Sequence, residues 1–262
     1  MSRTQRALSC LTHSLYFSTA IAIAAIAAAP ASGQSTGGDA PEGWSLGLGA
    51  IIEGSVYEAA DDRITPIPYI AYDWTRAHVG IDGAYLRSKG SGPLDWRVGV
   101  KPRFPGADPE ELDGLSDAPR DIALELGGSG RLALGPAYVF AGAWQDVSGS
   151  HDGFEGEIAA GIRFRPGDVR IDLQAGGRHR DADLNSWIFL SDSEAALAGD
   201  AAYGAEAGWV PFAAAGLSYA FTERVSLHGR VEVEGLADAA SDSPLASGDS
   251  RARGLVILAR RF

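Results

Sequence analysis

Lysine, cysteine, methionine and long apolar runs are all scarce in this chain. Only Lys89 and Lys101 accompany 20 arginines, and 34 acidic residues outnumber both, for a formal net charge of -12 over 262 residues. A sequence pI near 4.8 excludes a broad basic face and with it a general affinity for the phosphate backbone of nucleic acids. Cys10 is the one cysteine, which excludes an intrachain disulfide framework. Zinc-ligand spacings are missing, and the acidic pairs Asp61-Asp62 and Asp181/Asp183 are too isolated to define a calcium site. Beyond the N-terminus, no run approaches the roughly 20 apolar residues of a membrane-spanning helix, and none keeps a helical period. What remains is 45% hydrophobic with 34 glycines, too apolar for a disordered acidic chain and long enough for one large core.

The N-terminus has the layout of a secretory signal. Arg3 and Arg6 precede an apolar stretch from Leu15 to Ala29, and the small residues Ala29, Ala31, Ser32 and Gly33 follow. Cleavage after Ala31 or Gly33 removes Cys10 and two arginines but no acid. Cys10 lies before the apolar run, which argues against a lipoprotein anchor. The expected organisation is a signal peptide over 1–31, a flexible linker rich in glycine and serine over 32–43, and one domain over 44–262.

Within that domain the dominant signal is alternation with period two. In Val225 to Glu234, Val225, Leu227, Gly229, Val231 and Val233 share one face, while Ser226, His228, Arg230, Glu232 and Glu234 share the other. Val169, Ile171 and Leu173 oppose Arg170, Asp172 and Gln174 in the same way. Ile158, Ala160, Ile162 and Phe164 oppose Glu157, Arg163 and Arg165. Tight connections at Trp74 to His78, Leu134-Gly135-Pro136, Arg165-Pro166-Gly167-Asp168 and Thr222-Glu223-Arg224 alternate with long polar ones at Asp146 to Gly153, Asp181 to Gly208 and Ala237 to Arg253. Short periplasmic turns and long external loops are the layout of an outer-membrane barrel. A lipocalin-like barrel would turn its apolar face inward. Charges of both signs on the second face favour a polar lumen and an apolar outside, because lipid would not tolerate them. Trp44, Tyr57, Tyr72, Trp74, Trp96, Trp144, Phe164, Trp209, Phe212, Tyr219 and Phe221 lie near expected strand ends, where interfacial aromatic girdles form.

Candidate chemistry is thin. His151 lies beside Ser148, Ser150 and Asp152, yet adjacent loop residues do not converge as a catalytic triad must; a solvated loop turning through Gly149 and Gly153 is expected. His179 and His228 are expected at a rim and in the lumen. Gly127-Gly128-Ser129-Gly130 lies within a strand pattern, the wrong context for a phosphate-binding loop. No catalytic, cofactor-binding or metal residue is assigned. The lumen charges fit either a salt-bridge network that fills a narrow barrel or the lining of a narrow channel for small solutes, with the filled barrel preferred.

Several segments, in order, resemble the MipA/OmpV family of MltA-interacting outer-membrane proteins. They are Gly43 to Ala50, the proline-punctuated Thr65 to Tyr72, Lys101-Pro102-Arg103-Phe104 with Leu112 to Arg120, Asp146 to Gly153, Trp209-Val210-Pro211-Phe212, the strand pair around Thr222 to Arg224, and Ser241 to Leu245. Where the family often has a tyrosine-rich segment, this chain has Trp187-Ile188-Phe189-Leu190. The terminal Phe262, with Leu258 and Val256 before it, is similar to the C-terminal signal of outer-membrane barrels, although Arg260 stands where an aromatic is usual and Leu255, Ile257 and Ala259 make the second face apolar too. The resemblance implies an integral barrel of the cell outer membrane, not an enzyme, that acts as a scaffold linking a lytic transglycosylase and a murein synthase. Outer-membrane lipid and these two enzymes are its implied partners, with Ala107 to Arg120 and the linker as the places to seek a docking site. Eleven strands are clear. Since bacterial barrels need an even number, a further crossing is expected between Phe104 and Arg120, giving about 12 strands, or alternatively 10. Pro66 and Pro68 each remove a ladder donor and are expected at a strand start or a bulge.

Overall fold

The computed structural model describes residues 42–55, 62–88, 92–104, 121–189, 206–236 and 249–262. Its strands are β1 (Gly43–Glu53), β2 (Arg63–Asp73), β3 (Ala77–Gly80), β4 (Gly83–Arg87), β5 (Leu94–Arg103), β6 (Ala123–Leu134), β7 (Ala137–Asp146), β8 (Phe154–Phe164), β9 (Val169–Arg180), β10 (Gly208–Ala220), β11 (Val225–Gly235) and β12 (Ser250–Arg261), with one short helix, α1 (Ala182–Ile188), after β9. All twelve join in sequence order, every neighbour antiparallel, and β12 pairs with β1 to close the barrel. The Gly-Gly-Ser-Gly segment lies inside β6.

Period-two patterning produces this architecture directly. Inward residues meet across the lumen, while Leu48, Ile64, Leu86, Val98, Ile158 and Trp209 point outward, Leu48 with 74% of its surface exposed. An apolar belt of this size belongs in a lipid phase. Ten strands have 10 to 13 residues, enough for a tilted strand to cross a bilayer, which takes roughly 9–11. β3 and β4, with four and five residues, form a half-height hairpin. Among the described residues no helix is long and apolar enough to span a membrane.

The tight connections 74–76, 135–136, 165–168 and 221–224 share one rim with the two ends of the barrel chain, where the Phe262 amide donates to the Trp44 carbonyl at 2.9 Å. Gly135 and Gly167 hold φ of 69° and 64° in their turns, a conformation that costs glycine little. The long connections 147–153, 181–207 and 236–249 join strands at the far rim. The segment after Phe104 also joins strand ends at the far rim, because β5 and β6 are direct antiparallel neighbours in register from Leu94↔Leu132 to Arg103↔Ala123. The expected extra crossing between Phe104 and Arg120 is therefore corrected. Twelve strands close without it, and an added crossing would have made β5 and β6 parallel. Residues 105–120 themselves lie outside the described residues.

Two further expectations change. Trp144 and Phe212 are buried on the inward face and belong to no girdle, and Tyr57 lies outside the described residues. The terminal rim does carry a belt, with Tyr72 between Trp44 (centroids 5.0 Å) and Trp74 (4.3 Å), and Tyr219 edge-on to Phe221 at 4.8 Å. Pro66 and Pro68 sit at neither a strand start nor a bulge but within β2, opposite Ala50 and Leu48 of β1. Their tolerance there follows from what lies on their other side.

Candidate functional site

The lumen is organised by cross-strand pairs of opposite charge. Register places Glu155 opposite Arg180, Glu157 opposite Arg178 and Arg163 opposite Asp172 between β8 and β9. It places Glu232 opposite Arg253 and Glu234 opposite Arg251 between β11 and β12, and Lys101 opposite Glu125 and Asp95 opposite Arg131 between β5 and β6. Directly opposed charges on one face of a sheet attract where like charges would repel. The sequence periodicity therefore also encodes electrostatic register.

Towards the far rim these pairs fuse into one network. Glu234, 1% exposed, accepts from Arg178 at 3.0 Å, Arg180 at 2.8 Å and also Arg251. Arg178 reaches Glu157 at 2.8 Å and Glu232 at 2.6 Å, and packs over the Phe212 ring at 4.0 Å. Between them β10 presents only Val210, Phe212 and Ala214 inward, all buried, so nothing polar blocks the reach from β9 to β11. Arg180 continues to Glu155, Arg103 bridges Glu155 and Glu125, and Lys101 meets Glu125 at 3.1 Å. Each carboxylate of this network has at least one cationic partner, the condition under which charges persist in a low-dielectric interior.

α1 lies at this end. Asp181 caps it, accepting from the Leu184 amide at 2.9 Å and from the Phe154 amide at 2.7 Å, and Leu184, Trp187 and Ile188 are buried. His151 is not in a solvated loop: it is buried, its ring 5.0 Å from Trp187 and its Nε2 3.6 Å from Glu125. The Ser148 hydroxyl turns away to the Asp146 carboxylate at 2.6 Å. That carboxylate also accepts from the His151 amide at 2.7 Å and the Asp152 amide at 2.9 Å, so serine, histidine and acid organise a loop and do not converge on a reacting atom. His179 stacks edge-on against Trp209 outside the barrel, and His228 lies in the lumen between Ser226 at 2.8 Å and Ser218 at 3.1 Å. Asp181 serves as the helix cap, and Asp62 accepts from the Ser55 amide at 3.1 Å. Among the described residues no cluster of three or more His, Cys, Asp or Glu side chains could hold a metal ion.

Below the network lies a cavity of about 350 Å³. One side is apolar, with Ile51, Ile67, Leu255 and Ile257; the other carries Trp144, Tyr85, Arg97, Lys101 and Arg230. The apolar inner face of β12, which departs from the alternating pattern, is thus a cavity wall. Nearer the terminal rim, Asp172 accepts from Tyr138 at 2.6 Å and from Arg163, and Arg131 pairs with Asp95. Glu42, just before β1, accepts from the Thr75 hydroxyl at 2.6 Å and its amide at 3.1 Å, bonds that hold its carboxyl below the usual range. Arg97 and the cavity were not singled out from sequence. An arginine on an inward strand face looks like the others there, and its partners are set by shear between distant strands.

Comparison with known proteins places this geometry. Residues 46–262 match the family model described as MltA-interacting protein MipA. The chain is 24% identical over 205 residues to "Putative outer membrane protein YiaT" of Escherichia coli O157:H7, covering 77% of this chain and 83% of that protein, and equally to its counterpart in strain K12. Solved structures of similar shape include an outer membrane channel from Pseudomonas putida F1, at 11% identity and a TM-score of 0.48 over 89% of this chain and 99% of that one, and an anion-selective porin from Comamonas acidovorans, at 10% and 0.34 over 85% and 99%. The chain is a twelve-stranded β-barrel of the outer membrane and belongs to the family of the MltA-interacting protein MipA.

Proposed function

We propose that the protein is an integral outer-membrane scaffold whose periplasmic rim brings a lytic transglycosylase together with a murein synthase during wall assembly, after residues 1–31 are removed as a signal peptide. Family membership supplies the partner class. The observation that carries the reading is the continuous ion-pair network, which takes up the lumen under the far rim and leaves the barrel better suited to presenting a rigid surface than to conducting. By the rule that barrels have short periplasmic turns, the docking surface is the terminal rim, where Arg76, Arg165, Arg224 and Arg260 are exposed, together with the 32–43 linker. The described residues that flank Ala107 to Arg120 belong to strand ends at the opposite rim, so docking is assigned to the terminal rim instead. Affinity capture from envelopes should recover a murein hydrolase above a control barrel, and charge reversal at Arg76, Arg165 and Arg224 should diminish it. Equal recovery on the control barrel overturns the scaffold.

The cavity favours a second reading, a narrow channel for small solutes. Planar bilayers would then show discrete conductance steps that change when Arg163 or Arg230 is neutralised. A silent bilayer contradicts it.

A further inference from the structure

Among the described residues, the wall of the barrel is incomplete on one side. β3 meets β2 only from Asp73↔His78 to Ala71↔Gly80, and β4 meets β5 only from Arg87↔Arg97 to Ala84↔Val100. Above the hairpin tip at Ile81 and Asp82, Arg63 to Tyr69 of β2 and Pro102–Arg103 of β5 have no strand partner on that side among the described residues, and no ladder joins β2 to β5. Seven residues of free β2 edge amount to about 20 Å at ~3.3 Å per residue.

The composition of the two lips shows that the gap is built. The Ile70 carbonyl accepts from the Ile81 amide at 3.3 Å, so the even-numbered residues of β2 turn their backbone groups towards the gap. The Trp96 carbonyl accepts from the Ser88 amide at 2.9 Å, so the even-numbered residues of β5 do likewise. Pro66, Pro68 and Pro102 are all even-numbered. At these three positions the donor that would invite pairing across the gap is absent, which is how proline blunts a sheet edge. The hairpin is clamped at its low height. His78, 1% exposed, is held between Asp73 at 3.0 Å and Asp82 at 2.8 Å, stacked on Tyr85 at 4.7 Å, and Arg87 ties Asp73 at 3.1 Å.

The cavity lies immediately behind this notch. Ile67 and Tyr69 from one lip, Ile81 and Asp82 from the hairpin tip, and Val100, Lys101 and Phe104 from the other all line it. Val100 stands on the outward-facing register of β5, so the lining passes through the wall. Carbonyls left on a free edge require water or a polar occupant, because hydrocarbon satisfies none of them. Inside, Arg97 lies over the rings of Tyr85 at 5.5 Å and Trp144 at 5.8 Å and donates to the Ser129 hydroxyl at 3.0 Å. Among the described residues it forms no ion pair with a carboxylate, unlike Lys101, Arg230 and Arg253 around the same cavity. Among the described residues the Tyr85 hydroxyl and Asp82 Oδ2 are buried without a hydrogen-bond partner. Asp82 already serves His78 through Oδ1, which leaves the Tyr85 hydroxyl and the guanidinium of Arg97, paired with no carboxylate among the described residues, opposite an apolar wall.

We propose that the notch between β2 and β5 is a lateral portal from the outer leaflet into the lumen cavity, which binds a single-chain anionic amphiphile with its chain against Ile51, Ile67, Leu255 and Ile257 and its headgroup on Arg97 and the Tyr85 hydroxyl. A cavity of about 350 Å³ falls at the small end of ligand sites, roughly 300–1,000 Å³, and suits a medium-length chain. The apolar wall excludes small inorganic anions as the preferred occupant, and the Arg97 guanidinium selects acids over alcohols.

The test uses protein in lipid nanodiscs and bromine quenching of Trp144, isolated by subtracting the Trp144→Phe variant. 11-Bromoundecanoic acid should quench saturably, and 11-bromoundecanol should bind roughly tenfold more weakly. Arg97→Gln should abolish that difference. Val100→Phe at the portal should slow the onset of quenching by the acid. Each variant is checked for heat-modifiable gel migration, which reports a folded barrel independently of binding. Equal quenching by acid and alcohol in the parent overturns the headgroup assignment. Quenching indistinguishable from Trp144→Phe overturns the site, and an unchanged onset in a folded Val100→Phe barrel overturns the portal.

Discussion

Glu234 is the carboxylate on which the lumen network depends most. It is 1% exposed and meets three guanidiniums, but these three are not equally dependent on it. Arg178 retains Glu157 and Glu232, and Arg180 retains Glu155, whereas no other carboxylate lies within ion-pair distance of Arg251 among the described residues. Glu234→Leu therefore strands one buried cation. Breaking a buried pair from one side costs about 3–5 kcal/mol, which at a urea slope near 2 kcal/mol/M lowers the unfolding midpoint by roughly 2 M. Arg251→Leu leaves Glu234 with two partners and should cost only about 1–2 kcal/mol. The double variant removes the stranded charge and should recover at least about 2 kcal/mol relative to Glu234→Leu alone. Urea titration of the barrel in vesicles, followed by tryptophan emission, measures all three. A double variant as unstable as the sum of the singles would refute the stranded-charge argument.

Three further outcomes follow. His78→Ala should leave barrel closure intact but raise amide exchange in Ala77–Gly80 and Gly83–Arg87, with a local loss of about 2–3 kcal/mol from two part-buried hydrogen bonds; uniform protection would show that the clamp is dispensable. Gly47→Ala should impair closure of β1 on β12, because a Cβ there lies 2.2 Å from the Leu258 carbonyl oxygen; unimpaired heat-modifiable folding would contradict that crowding. Glu42 should titrate below 4.5. Its carboxyl is depressed in the folded state, so its link to Thr75 persists above the ordinary glutamate range and is lost as pH falls through the lower folded value. Carboxyl chemical shifts in Thr75→Ala should return towards 4.5.

Much of the barrel is legible in the sequence because one variable, side-chain parity, sets both strand and face. The alternations in Val225–Glu234 and Val169–Gln174 identify the lumen side correctly, and the turns at Gly135 and Gly167 mark the terminal rim. Parity fails where a residue is read by type alone. Trp144 and Phe212 look like girdle aromatics, but their position relative to neighbouring strands turns them inward to pack against Lys101 and Arg178. The expected crossing after Phe104 is not needed, because β3 and β4, with four and five residues, supply two short strands that alternation over so few positions barely marks. That hairpin also explains Pro66 and Pro68, whose meaning depends on where β3 stops. The site was least visible, since Arg97 and Ile257 are distant in sequence and are brought together by register around a closed sheet.

The chain is a barrel with lipid outside and paired charges within. A nitroxide scan along β11 in vesicles tests this arrangement most directly, by comparing collision with lipid-soluble oxygen and with a water-soluble nickel chelate. The structure predicts oxygen maxima at Leu227, Val231 and Val233 and minima at His228, Arg230 and Glu232. Maxima at the charged positions, with the valines shielded, would mean an apolar interior and contradict it.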